Sequence, residues 1–198
     1  MTSTGSIDWS SAAAGHRVLV VCTGNVCRSP YLAAMLSLRL AERGRDSVVV
    51  GSAGTGALVG EPIAAPMRRI LADAGAETAG AARQIDRSML EQADLVITAD
   101  RAHRSAVVQL APGALRRTFT ARQAARLLTT VEMLPSPDEG PAKRLAALLA
   151  AGRGQHGPSA GSSDDVPDPW GGTDDLYAAC VRTMEPPLVA LADALARL

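Results

Sequence analysis

The sequence predicts a parallel α/β fold, in which strands and helices alternate along a chain of 198 residues. An apolar run at residues 18–21 is followed by a glycine-containing turn and then by an amphipathic pattern, which together indicate a strand, a turn and a helix. The same order recurs further along the chain. Because parallel strands need helical crossovers between them, we expect helices to flank one sheet.

Strands are predicted where short runs of β-branched, leucine or phenylalanine residues occur, at residues 18–21, 48–50, 95–98 and 117–120. Helical periodicity lies between and after them, at residues 31–43, 64–73, 101–109, 121–131 and 141–151. A last amphipathic helix runs from about residue 173 to the C-terminus. Pro186 and Pro187 are expected to kink or break that helix, since proline lacks the amide hydrogen that a helix interior needs.

The first 15 residues are small and polar, so we expect a disordered tail before a single domain over residues 16–198. Hydrophobic residues make up 47% of the chain and aromatic residues 3%, which predicts a core of alanine, valine and leucine. Twenty basic residues balance twenty acidic ones, which argues against nucleic acid or an anionic membrane as a partner. Three cysteines without a disulfide pattern, and no signal peptide or membrane-length apolar run, favour the cytoplasm.

The turn after the first strand reads Cys-Thr-Gly-Asn-Val-Cys-Arg from Cys22 to Arg28. A loop of inward-pointing amides beside a helix N-terminus stabilises an anion and also the thiolate form of Cys22. The guanidinium of Arg28 can fold back over that loop and bind two oxygens of a phosphate. Gly24 allows a tight turn. We interpret the loop as a phosphate cradle with a nucleophile at its base.

Ser29 and Pro30 fit an N-cap and the first helical position. The Ser29 oxygen can accept an amide hydrogen bond while its own proton is donated to the sulfur of Cys22. The competing interpretations are an ordinary buried cysteine, because this spacing alone is weak evidence, and a zinc site. We expect no metal, since His16, His103 and His156 do not stand at ligand spacing.

A phosphate ester also needs a proton donor for its leaving group, and Asp168 is the candidate. Pro167 and Pro169 stiffen its loop, and Trp170 adds an apolar neighbour. An ordinary Asp-Pro turn is the competing interpretation. Nearby carboxylates compete for the role: Asp164, Asp165, Asp174 and Asp175.

The segment from Cys22 to Pro30 resembles the signature loop of the low-molecular-weight protein tyrosine phosphatases. Ser52-Ala-Gly-Thr55, Ala82-Arg-Gln84 and Asp168-Pro-Trp170 also resemble family segments, in the expected order. The resemblance implies a four-stranded parallel sheet flanked by helices, and hydrolysis of phosphotyrosine in proteins without a metal or other cofactor.

The resemblance assigns the catalytic roles to Cys22, as a phosphocysteine-forming nucleophile, to Arg28 and to Asp168. It implies phosphate binding by the loop and support from neighbouring side chains: Thr23, Gly24, Asn25, Val26, Cys27 and Arg28 for the phosphate, with Ser29 and Ser52 supporting. Trp170 would form the wall of the substrate slot, and Cys22 and Cys27 a redox pair that inactivates the enzyme reversibly. The partner implied is a phosphotyrosine-containing protein, for which a bacterial tyrosine kinase is the analogy.

Three departures limit this transfer. Ala57 stands where many members carry an aromatic residue, so one wall of the slot is expected to be missing, and Gly80 stands where some members have a histidine that supports Asn25. Residues 134–165 form a longer segment than usual, which we treat as an insertion with a lid, a partner site or a plain surface loop as its alternatives.

Other functions share this loop. Arginine phosphatases of the family tend to have threonine where this chain has Val26, and arsenate reductases need resolving cysteines, for which only Cys27 and Cys180 remain. The non-enzyme alternative is a phosphopeptide-binding module that has lost turnover.

Overall fold

The computed structural model describes residues 13–14, 16–77, 80–132, 139–155 and 164–198. Four parallel strands form one sheet in the order β2-β1-β3-β4. Their bounds are Arg17–Cys22 for β1, Val49–Gly54 for β2, Leu95–Thr98 for β3 and Thr118–Thr120 for β4. The predicted parallel sheet with four strands is confirmed.

Helices cover both faces of this sheet, as the alternating pattern predicts. They are α1 Arg28–Ala41, α2 Ala65–Asp73, α3 Arg87–Gln92, α4 Arg101–Leu110, α5 Ala121–Leu128, α6 Pro141–Gln155 and α7 Asp174–Arg197, with a 3₁₀ helix over Pro112–Arg117. None of the helices in the part of the chain that the structure describes is long and apolar enough to cross a bilayer.

The side chains of β1 divide the core into two layers, because successive residues of a strand point to opposite faces. Val18 and Val20 belong to the larger cluster, with residues from α1, α2, α5, α6 and α7. Leu19 and Val21 belong to the smaller cluster, which includes residues of α3, α4 and the 3₁₀ helix. All four valine and leucine side chains are buried, so the apolar run fixes β1 at the centre of the fold.

The strand order places a crevice at the carboxyl end of β1. The chain leaves β1 towards β2 on one side, and β3 pairs with the other side, so loops diverge above Cys22. Such a topological switch point is where open parallel sheets bind ligands. In register, Cys22 lies beside Gly54 and Val21 beside Thr98, so the loops after β1, β2 and β3 meet at one edge.

The predicted N-cap is wrong, and so is a break of the last helix at its prolines, whereas a kink there stays a prediction. Helix α1 begins at Arg28 with Cys27 as its N-cap residue, so Ser29 is inside the first turn and its hydroxyl is free to bind elsewhere. Helix α7 continues unbroken through Pro186 and Pro187. Buried side chains on both sides of the prolines hold it there, among them Met184 and Leu188.

The helix expected in the insertion is α6, and it is longer than the periodicity indicates. Its Ala142, Leu145 and Leu149 side chains are fully buried in the larger core cluster, so this part of the insertion completes the core. The expected tail, apart from residues 13 and 14, and residues 133–138 and 156–163 of the insertion lie outside the described residues. The division into a tail, one domain and an insertion therefore stays a prediction.

Candidate active site

The loop between β1 and α1 curls around a cavity of about 140 Å³ at the carboxyl edge of the sheet. Residues from three loops line it: Cys22, Thr23, Gly24, Val26, Cys27, Arg28, Gly56, Leu58, Asp168 and Trp170. All of the residues predicted to bind phosphate line this cavity, except Asn25. The sulfur of Cys22 therefore shares one cavity with a guanidinium and a carboxylate.

Asn25 holds the loop in shape from behind. Its backbone is left-handed, with a φ of 57°, a conformation that asparagine adopts more readily than most residues. Its side-chain amide donates to Ser29 Oγ and to Ser52 Oγ, each at 2.9 Å, and its Oδ1 accepts from the Arg83 amide at 2.9 Å. Asn25 thus has three hydrogen-bond partners, although Gly80 stands where some family members have a histidine that supports this asparagine.

Ser29 joins this support to the sulfur. Its Oγ lies 3.0 Å from Cys22 Sγ and accepts from the Asn25 side-chain amide. The Ser29 hydroxyl also lies 3.4 Å from the Ala53 carbonyl, to which it can donate. When its hydrogen is directed at the sulfur instead, it stabilises the Cys22 thiolate. The sequence predicts that the Ser29 oxygen accepts from an amide, and the structure places the side-chain amide of Asn25 there. Donation from Ser29 to the sulfur stays a prediction.

The strand β2 approaches the loop so closely that only glycine fits at residue 54. A Cβ atom there would lie 2.2 Å from the carbonyl oxygen of Thr23. That carbonyl accepts from the Gly56 amide at 3.1 Å, and the Cys22 carbonyl accepts from the Thr55 amide at 2.9 Å. The loop after β2 is thereby fixed to the start of the cradle.

Arg28 is buried beneath the opening of the cavity and is held by three acceptors. Its guanidinium donates to Asp168 Oδ2 at 2.6 Å, to Asp100 Oδ2 at 3.3 Å and to the Val166 carbonyl at 3.2 Å. The side chain is 4% exposed, so its charge is compensated by these oxygens rather than by solvent. The guanidinium group of Arg28 therefore has a fixed orientation.

Asp168 is the carboxylate that faces the nucleophile. Its Oδ1 accepts from the Trp170 amide at 3.2 Å, which fixes the turn, and its side chain is 46% exposed at the rim. Three competing aspartates are paired elsewhere: Asp164 with Arg126, Asp165 with Arg101 and Asp174 with Arg69. Among these carboxylates, Asp168 is the one that lines the cavity.

Leu58 supplies the cavity wall that the sequence led us to expect was missing. It lines the cavity together with Trp170, the residue predicted as the aromatic wall. The position before it, Ala57, donates its backbone amide to the Gln84 side chain at 2.9 Å, which turns the loop so that Leu58 faces inward. The slot has one aromatic and one aliphatic side.

Cys27 and Cys180 are free, buried thiols. Burial raises the pKa of Cys27 to about 11, and the Tyr177 hydroxyl, 3.7 Å from its sulfur, offsets only part of that effect. Burial likewise raises the pKa of Cys180 to about 12. At neutral pH both are therefore thiols.

The structure brings Asp100 and His103, to which the sequence analysis assigned no role in the site, against the cradle. Asp100 follows β3 and binds Arg28, while His103 Nε2 lies 2.7 Å from Thr23 Oγ1. Burial disfavours the Asp100 carboxylate, but hydrogen bonds from His103 and the charges of His103 and Arg28 hold its pKa below the usual value. Its position at the carboxyl end of a parallel strand was the signal that could have indicated it.

Within the described part of the chain, no three histidine, cysteine or carboxylate side chains cluster in a way that could hold a metal ion. The cation among the residues that line the cavity is Arg28.

Comparison with known proteins identifies the family. The model of the low molecular weight phosphotyrosine protein phosphatases matches residues 17–128. The chain belongs to this family. A low molecular weight protein-tyrosine-phosphatase of Streptomyces coelicolor is 35% identical over 172 residues, which cover 86% of this chain and 87% of that protein.

Two further similarities mark the range of the family. A protein-arginine-phosphatase of Geobacillus stearothermophilus is 27% identical over 91% of this chain and 96% of its own length. The crystal structure of the tyrosine phosphatase Wzb from Escherichia coli K30 with sulphate superposes with a TM-score of 0.64, covering 91% of this chain and 98% of that one at 22% identity. Family and fold confirm the predicted class, a cysteine-based phosphatase.

Proposed function

We propose that this phosphatase hydrolyses phosphotyrosine in proteins through a phosphocysteine on Cys22. The observation that carries the proposal is that the Cys22 sulfur, the Arg28 guanidinium and the Asp168 carboxyl group face one cavity at the switch point of the sheet. These groups are the nucleophile, the anion-binding fork and the proton donor that the reaction needs.

The reaction proceeds in two displacements. The Cys22 thiolate attacks phosphorus, a sulfur–phosphorus bond forms, and the bond to the tyrosine oxygen breaks while Asp168 donates a proton to that oxygen. Asp168, now a carboxylate, then takes a proton from a water molecule that attacks phosphorus and releases Cys22. Phosphate oxygens compete with Asp168 for Arg28, which frees the carboxyl group to turn towards the leaving oxygen.

The cavity walls favour an aryl ring. Trp170 and Leu58 offer two apolar sides to a flat ring, whereas the rim offers phosphoserine little contact. The Geobacillus relative makes phosphoarginine the second candidate. Val26, which lines the cavity without a hydroxyl group, favours phosphotyrosine, because a hydroxyl there would help to position a guanidinium group or an incoming water.

Turnover of free phosphotyrosine, phosphoarginine and phosphoserine tests the proposal. We expect phosphotyrosine to give the highest kcat/KM, Cys22→Ser to abolish turnover and Arg28→Lys nearly to abolish it, since a point charge cannot replace the fork. Cys180→Ser, which changes a buried thiol outside the cavity, is the matched control and should retain activity. Full activity of Cys22→Ser contradicts the mechanism, and faster turnover of phosphoarginine contradicts the substrate.

The physiological partner we propose is a phosphotyrosine-containing protein, with a bacterial tyrosine kinase as the example. Support comes from the tyrosine phosphatases Wzb and Etp among the relatives. The three free thiols support a reducing compartment, and we propose the cytoplasm. Capture of phosphoproteins by Cys22→Ser, identified by mass spectrometry, tests the partner.

We also propose reversible inactivation through Cys22 and Cys27, which line the same cavity. Peroxide oxidises the Cys22 thiolate to a sulfenic acid; the Cys27 sulfur then attacks it, a disulfide forms and water leaves. Because burial raises the pKa of Cys27 to about 11, this capture should accelerate as the pH rises.

Peptide mapping of the peroxide-treated enzyme under non-reducing conditions checks this pairing. We expect a Cys22–Cys27 disulfide, recovery of activity with a thiol reductant, and protection by phosphate. Cys27→Ser should remain active yet lose recovery, whereas Cys180→Ser should recover like wild type. A Cys22–Cys180 disulfide, or full recovery of Cys27→Ser, rejects the switch.

A further inference from the structure

One chain of polar contacts joins the two ends of the phosphate-binding loop from outside. Thr23 Oγ1, at the start of the loop, lies 2.7 Å from His103 Nε2. His103 Nδ1 lies 2.9 Å from Asp100 Oδ1, and the other oxygen of Asp100 lies 3.3 Å from the guanidinium of Arg28, at the end of the loop. The two residues of this chain of contacts that lie outside the loop, Asp100 and His103, are both at the start of α4.

The helix start that carries this chain is held firmly. Asp100 is the N-cap of α4, and its Oδ1 accepts from the His103 amide at 2.8 Å. The Thr98 hydroxyl donates to the Asp100 carbonyl at 2.9 Å. His103 is 4% exposed, so its ring cannot leave this position without disturbing the packing beneath the loop.

The contact with Thr23 fixes a residue next to the nucleophile. Thr23 is β-branched, so an anchored hydroxyl restricts its χ1 and, with it, the backbone that joins Cys22 to Gly24. That backbone lines the cavity. A hydrogen bond of the Thr23 hydroxyl to His103 also occupies a group that would otherwise be free to rotate towards the cavity.

We propose that His103 is a positioning residue, which acts through the Thr23 hydroxyl to hold the start of the loop in its phosphate-binding shape. The proposal rests on the proposed phosphatase function of the cavity. His103 touches neither the phosphate nor the sulfur in this role, and its effect is exerted on phosphate affinity and on the reaction alike. Asp100 lies against both the imidazole ring and Arg28, and it binds the backbone amide of His103 and the Arg28 guanidinium.

Four variants and one control test the coupling. Thr23→Val removes the hydroxyl at constant shape, His103→Asn keeps a polar group near the Nδ1 position only, and His103→Gln keeps one near Nε2. The fourth variant combines Thr23→Val with His103→Asn. Thr183→Val is the control, because its hydroxyl binds only the Ala179 carbonyl within α7, at 3.0 Å.

The readouts are kcat and KM for p-nitrophenyl phosphate, the inhibition constant of inorganic phosphate, and the melting temperature of each variant. We expect Thr23→Val and His103→Asn each to lower kcat/KM and phosphate affinity by about 3- to 10-fold, the size of one neutral hydrogen bond. The double variant should lose no more kcat/KM and phosphate affinity than the more impaired of the two single variants, because both changes remove the same contact. His103→Gln should stay within about 2-fold of wild type, as should Thr183→Val.

Losses that multiply in the double variant overturn the proposal, as does a folded His103→Asn enzyme with unchanged phosphate inhibition. If His103→Asn does not fold, comparison of Thr23→Val with His103→Gln decides: the proposal fails when Thr23→Val binds phosphate like wild type. Calorimetry of inorganic phosphate binding measures how the Thr23 and His103 variants change phosphate affinity, independently of turnover. An inactive wild-type enzyme that binds phosphate in a His103-dependent way would therefore contradict the proposed function alone.

Discussion

Arg28 and Asp168 show how one ion pair serves two purposes at the scale of single residues. The pair neutralises a nearly buried guanidinium, since Asp168 lies 2.6 Å from it. It also holds the carboxyl group that we propose as the proton donor, once phosphate has displaced it from Arg28, at the edge of the cavity that contains the sulfur. Because Asp168 is half-exposed while Arg28 is buried, the aspartate is the partner that can move.

Asp168→Asn should slow poor leaving groups far more than good ones. An activated phenolate departs without protonation, whereas tyrosine needs the proton, so we expect about 10²- to 10³-fold loss with phenyl phosphate and much less with p-nitrophenyl phosphate. A leaving-group series of aryl phosphates measures the difference. Asp165→Asn is the control, because Asp165 is paired with Arg101 outside the cavity. Equal losses across the series would assign the proton to another group.

Helix α6, in the segment predicted to be an insertion, shows at the scale of an element how a helix is joined to the core. Its buried face packs beside Phe119 of β4, and the Arg153 guanidinium lies over that ring, 4.0 Å from its centre. Arg153 also donates to the carbonyls of Thr118 and Leu115, at 2.6 and 3.1 Å. These contacts join α6 to the edge strand, far from the lining of the active-site cavity.

Leu145→Ala in α6 should therefore cost stability without costing chemistry. Removing a fully buried leucine side chain destabilises a domain by about 2–5 kcal/mol, through lost burial and the cavity that remains. Leu115→Ala, at a side chain that is 45% exposed, is the matched control and should cost much less. Urea unfolding measures both, and kcat/KM of the folded variants should match wild type. Equal unfolding midpoints of the two variants would show that α6 contributes little to the core.

Helix α7 illustrates the opposite case, in which packing overrides a local signal. Proline at 186 and 187 removes amide donors, yet the helix runs from Asp174 to Arg197. Its residues Leu191 and Leu195 are buried against the rest of the core, and Arg43 binds Asp193 across the interface with α1. The burial of the whole helix face exceeds the loss of two backbone hydrogen bonds.

At the scale of the whole molecule, the buried thiols make the fold sensitive to alkali. Burial raises the pKa of Cys27 from 9.0 to about 11 and that of Cys180 from 9.0 to about 12. A raised pKa in the folded state means that the folded protein binds more protons than the unfolded chain above about pH 9. Stability is therefore full below that pH and falls as the pH rises towards the folded pKa values.

We expect the free energy of unfolding to fall between about pH 9 and about pH 11, by up to about 1.4 kcal/mol per pH unit for each thiol. Urea unfolding under reducing conditions measures the slope. Cys180→Ala should reduce the slope, whatever its effect on stability at neutral pH. A slope that Cys180→Ala leaves unchanged would show that Cys180 does not contribute.

The sequence by itself determined the sheet, the cradle and the family. The apolar run before Cys22 predicts a buried strand, and the amphipathic pattern after Pro30 predicts a helix. The residues between them must therefore form a turn, and their types indicate a phosphate-binding loop. Both patterns extend over a few consecutive residues, so they can be recognised without knowledge of the tertiary structure. The limits of the predicted helices differ by only a few residues from those observed, while α3 and the 3₁₀ helix were not predicted.

The tertiary structure alone decided the partners of that loop. The contact between Arg28 and Asp168 spans 140 residues, and the contact between Thr23 and His103 spans 80 residues. Leu58 lines the cavity from the loop in which the Ala57 amide binds Gln84. Helix α7 continues through its prolines with Pro187 buried in the core. Each outcome rests on which distant surfaces the packed core brings together, and no window of sequence contains both sides of such a contact.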